Sequence, residues 1–206
     1  YSFIFEGTPQ AIDHFMINTV AQSLFRRYAI ARNNSDFPEL PGSLFSGDAT
    51  RPERNSDHDM PVAYFNFPPT ITLSTNPITL SPPNHAYRTV TVSDMVASAN
   101  DPRDPSLDIN DVVIAQVTSD ELENAPGSTD GNTLNDIVIA VDCKSVRLRA
   151  ERAGTLDGRV YTVTLKVTDA FGFVTTATRK VTVPLSPGSG AAIDSGPIYT
   201  VSGGCP

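Results

Sequence analysis

The sequence predicts a mainly β protein in which an incomplete α/β segment precedes a β-sandwich. Two observations support this prediction. Short runs rich in Val, Thr and Ile follow one another between residues 70 and 183, separated by Asp, Asn, Gly and Pro. Before them, strand-like and helix-like stretches alternate with one long polar loop. We therefore divide the chain into residues 1–68, a sandwich over residues 69–185 and a low-complexity tail over residues 186–206.

The first segment predicts a strand, a helix and a second strand. Residues 11–18 (AIDHFMIN) alternate between apolar and polar side chains, as strands do. Residues 19–32 place apolar side chains on one helical face, with Asn18 or Thr19 as the cap. Residues 61–67 (PVAYFNF) predict the second strand. Because one helix and two strands bury only a small core, we expect this segment to be incomplete by itself.

The second segment begins after Pro68-Pro69, since consecutive prolines cannot continue a β-ladder. Many short, alternating, β-branched strands favour a β-sandwich. The predicted strands cover residues 70–73, 87–96, 111–119, 136–141, 145–151, 159–168 and 174–183. The predicted core consists of Val90, Val92, Val113, Val117, Val138, Leu148, Tyr161, Val163, Leu165 and Val181. One more strand is expected in the tail, at PIYTV.

Composition narrows the function. Of the 206 residues, 39% are apolar, which is enough for a core and argues against wholesale disorder. The formal net charge of −8 disfavours a nucleic-acid coat or a binder of anionic membranes, because both need a basic surface. The negative charge does not exclude an enzyme that binds phosphate groups through a metal ion. No stretch approaches the length of about 20 apolar residues that a membrane span needs.

Cys143 and Cys205 are the only cysteines. In a chain rich in Thr, Ser, Pro and Gly they are either a disulfide that pins the tail or two free thiols. The disulfide would suit a secreted or extracellular protein. The sequence opens on Tyr1 and shows no signal peptide, so we expect a preceding segment.

The octet RNSDHDMP (residues 54–61) places acid, imidazole and acid side by side. A histidine near neutrality can take a proton from water, and a carboxylate on its other ring nitrogen fixes the tautomer. Neighbouring side chains on extended backbone point to opposite sides, so Asp57 and Asp59 cannot both orient His58. Asp13 is the candidate for that role. The alternative interpretation of this octet is a polar surface turn without a catalytic role.

Three stretches together suggest a family. SDHDMPV, with FEGTPQAIDHFMIN and NNSDFPE before it, resembles the C-terminal signature of secreted bacterial members of the endonuclease/exonuclease/phosphatase superfamily, which have the DNase I-like fold. The resemblance implies that His58 is a general base or contacts phosphate, that Asp13 orients it, and that Asp57 lies at the edge of a Mg²⁺ or Ca²⁺ site. It implies a nucleic acid or another phosphodiester as substrate.

The sequence also departs from this family. Met60 separates Asp59 from Pro61, where an Asp-Pro pair is more usual. More importantly, the family's early metal-binding Glu and its Asp-x-Asn turn have no counterpart. We therefore expect this chain alone to be inactive, and its status as an enzyme stays uncertain.

The second segment has a resemblance of its own. PITLSPPNHAYRTVTVS and VRLRAERAGTLDGRVYTVTLKVTD resemble an immunoglobulin-like repeat of large secreted bacterial proteins. This implies an extracellular accessory or spacer domain. His85 is interpreted as a structural histidine rather than a metal ligand, because no second His or Cys lies at ligand spacing. An acidic run in the same segment suggests a structural calcium ion, although such residues are also common in turns. The calcium candidates are Asp120, Glu121, Asp130 and Asp136.

Two functions follow from these observations. The first is a fragment of a secreted metal-dependent nuclease or phosphodiesterase with an accessory domain. The second is a self-assembling structural subunit of an extracellular fibre or matrix, built from the processed C-terminal region. A carbohydrate-binding module ranks last, because the chain has no Trp to form a sugar platform.

Overall fold

The structure, a computed structural model, describes residues 2–5, 8–32, 56, 58–124, 130–186 and 188–205. It is mainly β, with several separate sheets. The chain divides into two compact units, Tyr1–Phe67 and Pro68–Pro206. None of the helices in the described ranges has the length and apolar character required to cross a membrane.

The first unit contains two small antiparallel sheets, β1–β2 and β3–β4. Its elements are β1 (Phe3–Phe5), β2 (Thr8–Gln10), α1 (Thr19–Leu24), β3 (Phe25–Ala31) and β4 (Met60–Phe65). The helix begins at the predicted cap, where the Asn18 side chain accepts a hydrogen bond of 2.8 Å from the Ala21 amide. The strand predicted over residues 61–67 is present as β4, one residue earlier at its start and two shorter at its end.

The other two predictions for this unit are corrected. The helix predicted over residues 19–32 ends at Leu24, and the second half of that range is β3. Pairing with β4 overrides the helical pattern: the rings of Phe25 and Phe65 meet edge to face at 6.0 Å, and the Arg27 guanidinium lies 4.3 Å from the centre of the Tyr64 ring. Residues 11–18 form no strand, because the β1–β2 ladder ends at Gln10 and no described segment pairs with them.

The first unit has no apolar core among its described side chains. The side chains that are buried there belong to Ser2, Asp59 and Asn66, all of them polar. Two-stranded sheets without an apolar core are marginal in water. Many of its large apolar side chains are exposed, namely those of Ile12, Phe15, Met16, Ile17, Val20, Tyr28, Met60, Tyr64 and Phe67.

The second unit contains three sheets and one hydrophobic core. A five-stranded sheet has the order β14-β9-β12-β13-β6, a three-stranded sheet the order β10-β11-β7, and β5 pairs with β8. Side chains from all three sheets contribute to the core. Its elements are β5 (Thr70–Leu73), β6 (Ile78–Thr79), β7 (Tyr87–Thr91), α2 (Val92–Met95), β8 (Val96–Asn100), a 3₁₀ turn (Ile109–Asp111), β9 (Val113–Ser119), β10 (Ile137–Ile139), β11 (Ser145–Arg149), β12 (Arg159–Thr168), β13 (Val174–Val183) and β14 (Tyr199–Ser202).

The strand predicted over residues 87–96 is interrupted. β7 ends at Thr91, and the short helix α2 follows before the chain resumes as β8. A capping box causes the break: the Thr91 hydroxyl accepts from the Asp94 amide at 3.3 Å, and the Asp94 carboxylate accepts from the Thr91 amide at 2.8 Å. These local hydrogen bonds replace the ladder that the alternating pattern predicts.

Eight of the ten predicted core residues are buried, and the exceptions are Val113 and Val138, which are half-buried. In β9 a bulge explains the difference. Leu165 pairs with Ile114 whereas Thr164 pairs with Gln116, so Ala115 is an extra residue and the alternation shifts by one position. Ile114 is therefore buried in place of its predicted neighbour.

The tail adds the edge strand β14 to the five-stranded sheet, antiparallel to β9. The disulfide between Cys143 and Cys205 is present, with an S–S distance of 2.04 Å. Beside it, the Gly203 amide donates to the Ala115 carbonyl at 2.8 Å. A side chain at Gly203 would collide with the Ile114 carbonyl, so glycine is needed for this close approach.

We expect Cys205→Ser to lower the free energy of unfolding of the second unit by up to about 4 kcal/mol, because the bridge closes a loop with a sequence separation of 62. Urea denaturation of the variant and of the wild-type chain measures this loss. Reduced wild-type chain is the matched control and should behave like the variant. Equal denaturation midpoints for oxidised and reduced wild-type chain would rule out a stabilising bridge.

Candidate active site

A histidine and a carboxylate meet in the first unit. The Nδ1 atom of His58 lies 2.9 Å and 3.0 Å from the two carboxylate oxygens of Asp13, although the residues are 45 positions apart. Both side chains are partly exposed, His58 by 38% and Asp13 by 28%. The two residues that the sequence singled out as base and orienting acid are thus in contact.

The contact determines which ring nitrogen of His58 carries the proton. Hydrogen bonding with the Ser2 hydroxyl, and then with His58, lowers the pKa of Asp13, so this carboxyl is ionised at neutral pH. An ionised carboxylate only accepts hydrogen bonds, so Nδ1 of His58 is the donor. The lone pair of the neutral imidazole then lies on Nε2, the atom that could take a proton from a nucleophile.

Ser2 links the segment that carries Asp13 to the segment that carries His58 through hydrogen bonds. The sequence analysis did not identify this residue. Its amide donates to the Gln10 carbonyl at 2.8 Å, and its carbonyl accepts from the Asp59 amide at 2.6 Å. Its hydroxyl accepts from the Asp13 amide at 3.2 Å. No motif marks this serine, since its role comes from its position at the head of the β1–β2 hairpin.

An apolar cavity of about 360 Å³ lies beside the pair. The rings of Phe15 and Tyr28 meet edge to face at 6.1 Å in its wall, and the Tyr28 hydroxyl donates to the Asp13 carbonyl at 3.4 Å. The site thus combines a histidine–carboxylate pair with an aromatic wall. The cavity is lined by Ala11, Asp13, His14, Phe15, Ile17, Phe25, Tyr28 and Ala63.

The expected Mg²⁺ or Ca²⁺ ion has no ligand set in the part of the chain that the structure describes. Asp57, predicted at the edge of the metal site, lies outside the described residues. Among the described ones, no group of three or more His, Cys, Asp or Glu is arranged to hold a metal. Both carboxylate oxygens of Asp13 contact His58, and a single carboxylate is too few ligands to hold a divalent metal ion. We therefore derive no step through a metal.

Three of the four acids predicted to bind calcium surround the guanidinium of Arg159 instead. Its Nε lies 3.0 Å from Glu121 and its Nη2 lies 2.8 Å from Asp130, while Nη1 donates to Asp136. Asp120 lies apart from this group, accepting from the Val160 amide at 2.7 Å. The positive charge among these acids thus comes from the protein itself, and a calcium ion here stays a prediction.

His85 has the structural surroundings expected from the sequence. Its Nδ1 lies 3.1 Å from Glu151, and its φ of 61° belongs to the left-handed region. Gly131 lies against the ring: a Cβ there would come within 2.5 Å of Nδ1. The neighbouring Arg149 stacks on Tyr87, with 4.1 Å between the guanidinium and the ring centre.

Comparison of the chain with protein-family models, with curated proteins and with solved structures finds no match. The resemblance to the DNase I-like superfamily therefore stays a prediction from the three stretches of sequence. What the structure itself defines is a mainly β chain with a partly exposed histidine–carboxylate pair in its first unit.

Proposed function

We propose that this chain is the C-terminal part of a secreted, metal-dependent nuclease or phosphodiesterase of the endonuclease/exonuclease/phosphatase superfamily, followed by an immunoglobulin-like accessory domain. The contact between His58 Nδ1 and Asp13 is the observation that carries the proposal. A polar turn would explain a histidine beside its neighbouring acids. It does not explain a histidine paired with an acid from a distant segment and open enough to meet a substrate.

In the proposed reaction, His58 Nε2 takes a proton from the attacking water, whose oxygen forms a bond to phosphorus as the bond between phosphorus and the leaving oxygen breaks. The leaving oxygen takes up a proton and departs as an alcohol. Asp13 stabilises the imidazolium that results. Cleavage of a phosphodiester also needs a charge sink for the transition state, which a divalent cation supplies. We place Asp57 at the edge of the site for this cation and the other ligands in polypeptide beyond these 206 residues, so we expect the chain alone to be inactive.

A second candidate is the structural subunit of an extracellular fibre or matrix. The exposed apolar side chains of the first unit, together with its lack of a described apolar core, favour it. Such a surface needs polypeptide to cover it. In the first proposal the remainder of the enzyme domain covers it, whereas in the second other copies of the chain do so.

The native mass and the cleavage activity separate these candidates. We expect the protein isolated from its source to exceed the mass of 206 residues by roughly 200 residues or more, about one further domain. We expect that form to cleave DNA with Mg²⁺ or Ca²⁺, and the 206-residue chain not to do so. A native mass equal to this chain, with ordered assemblies in the electron microscope, would instead support the structural subunit.

A further inference from the structure

The strand β14 lies at one edge of the five-stranded sheet, where it pairs with β9 in an antiparallel ladder. At one end of the ladder the Ile198 amide donates to the Ser119 carbonyl at 2.8 Å. At the other end the Gly203 amide donates to the Ala115 carbonyl, also at 2.8 Å. Because an edge strand without a partner presents unpaired backbone groups, β14 covers a surface of β9 that would otherwise accept another strand.

The side chains of β14 fit this surface of β9 and the core beside it. Tyr199 and Val201 are half-buried and pack against the hydrophobic core of the second unit. The Tyr199 hydroxyl also donates to the Glu123 carboxylate at 3.2 Å. Gly203 lies so close to β9 that a side chain there would collide with the Ile114 carbonyl. These contacts make the edge of β9 selective for the sequence of β14.

The connection to β14, residues 186–198, is held at the surface rather than in the core. Its described part, residues 186 and 188–198, forms no helix or strand and has no buried residue. Asp194 lies 3.0 Å from the amine of Lys180, whose side chain is 60% exposed, and Ile193 is 62% exposed. A stretch of this length can extend to roughly 45 Å, so it can carry β14 to a neighbouring molecule.

The disulfide between Cys143 and Cys205 ties β14 to the β9 of the same chain. Cys205 follows β14, and Cys143 lies beside β9, where the Ile114 amide donates to its carbonyl at 2.9 Å. Cys143 is fully buried, whereas Cys205 is half-buried. With the bond closed, β14 therefore stays on its own molecule, and with the bond open non-covalent contacts alone hold it there.

We propose that β14 is an exchangeable strand and that its partner is a second copy of this chain. When the disulfide is open, β14 of one copy docks along β9 of the other, and its Cys205 then bonds to Cys143 of that copy. A second copy fits this edge because it offers the same β14 sequence, so each contact is kept and only the course of residues 186–198 changes. The inference goes beyond the nuclease proposal and does not depend on it. For the second candidate function it supplies a contact between copies.

The exchange needs a dithiol reductant and then a disulfide oxidant, for which we take oxidised glutathione. A thiolate of the reductant attacks the sulfur of Cys205, the more exposed cysteine, so the S–S bond breaks and Cys143 leaves and takes up a proton. The second thiol of the reductant then displaces Cys205, and the reductant becomes a disulfide. Reclosure between copies passes two electrons from the two cysteine thiols to oxidised glutathione, which becomes two molecules of glutathione.

Two single-cysteine variants test whether copies exchange β14. Cys143→Ser keeps Cys205 after β14, and Cys205→Ser keeps Cys143 beside β9, so neither chain can close the bridge alone. We expect an equimolar mixture at about 0.1 mM, treated with oxidised glutathione, to accumulate dimers joined from Cys143 to Cys205, because the bridge traps each exchanged strand. Non-reducing electrophoresis and peptide mass spectrometry identify this bridge. Its absence from a mixture of two folded variants would overturn the proposal.

Gly203 and Gly204 provide a matched pair that tests docking itself. A Cβ at Gly203 collides with the backbone of β9, whereas a Cβ at Gly204 has nothing within 4 Å. Synthetic peptides of residues 197–205 that carry Gly203→Ala or Gly204→Ala are added, with oxidised glutathione, to the full-length Cys205→Ser chain. We expect the Gly204→Ala peptide to bond to Cys143 at least about tenfold faster than the Gly203→Ala peptide. Equal rates would refute the exchange, because the thiols would then meet without docking of β14.

If a single-cysteine variant does not fold, the wild-type chain decides. Isotopically labelled and unlabelled chains are reduced, mixed in equal amounts and reoxidised, and the bridged peptide is isolated. A short tether provides an effective concentration of about 1 mM, so at about 1 mM chain we expect bridges that join a labelled half to an unlabelled half. Their share should fall about tenfold at about 0.1 mM. Bridges with one label only, at both concentrations, would reject a second copy as the partner.

Discussion

Replacing Arg159 with methionine is expected to lower the free energy of unfolding of the second unit by about 3–5 kcal/mol at pH 8. This guanidinium is fully buried and is the cation that Glu121, Asp130 and Asp136 share. Methionine fills much of the volume but removes the cation that the three acids share. Since marginally stable domains tolerate few such losses, part of the variant population should be unfolded at 25 °C.

Urea denaturation at pH 8 and at pH 5 measures this effect. The loss should shrink at pH 5, because protons can neutralise the orphaned carboxyls. Arg147→Met is the matched control: Arg147 lies on the exposed side of β11, 5.1 Å from the Tyr87 ring centre, so its replacement should cost less than about 1 kcal/mol. Equal losses for the two variants would show that the buried cluster has no special importance.

The strands of the second unit could be predicted well because their alternation reflects burial directly. β5, β12 and β13 have the predicted bounds. The prediction failed where local hydrogen bonds compete with the ladder, as at Thr91 and Asp94, and where the bulge at Ala115 shifts the alternation. Neither effect changes the apolar pattern, so the pattern alone could not reveal them.

The first unit was predicted less well because its pattern is ambiguous. The residues of β3 have an apolar spacing that suits a helix, and only their pairing with β4 makes this segment a strand instead. A pairing partner is a tertiary property. Residues 11–18 show the converse case, since their strand-like alternation meets no partner in the described part of the chain.

The two charged sites differ in how far the sequence reveals them. His58 and Asp13 could be paired because the two acids next to His58 cannot both orient it and Asp13 lies within the strand-like run of residues 11–18. The cluster of acids around Arg159 was not predicted, although the alternation that puts Tyr161 and Val163 in the core puts Arg159 on the same face of β12. The acids that it meets are distant in sequence, Asp136 by more than 20 residues. Only the folded topology brings the acids to it.

Replacing His58 or Asp13 is expected to slow DNA cleavage. In the longer enzyme that we propose, His58→Ala is expected to slow Mg²⁺- or Ca²⁺-dependent DNA cleavage by about 10²–10⁴-fold, because the proposed general base is lost. Asp13→Asn keeps an acceptor for Nδ1 but removes the charge that stabilises the imidazolium, so we expect a loss of about 10–100-fold. Both rates are measured with saturating metal on a defined DNA substrate.

The ratio of the cleavage rates of His58→Ala and His85→Asn in the longer enzyme that we propose tests the central claim most directly. Both variants remove one histidine, but His85 lies in the second unit, and asparagine tolerates its left-handed backbone. We predict cleavage near the wild-type rate for His85→Asn and at least about a hundredfold slower cleavage for His58→Ala. Equal rates for the two variants, with both proteins folded, would contradict the assignment of His58 as the general base.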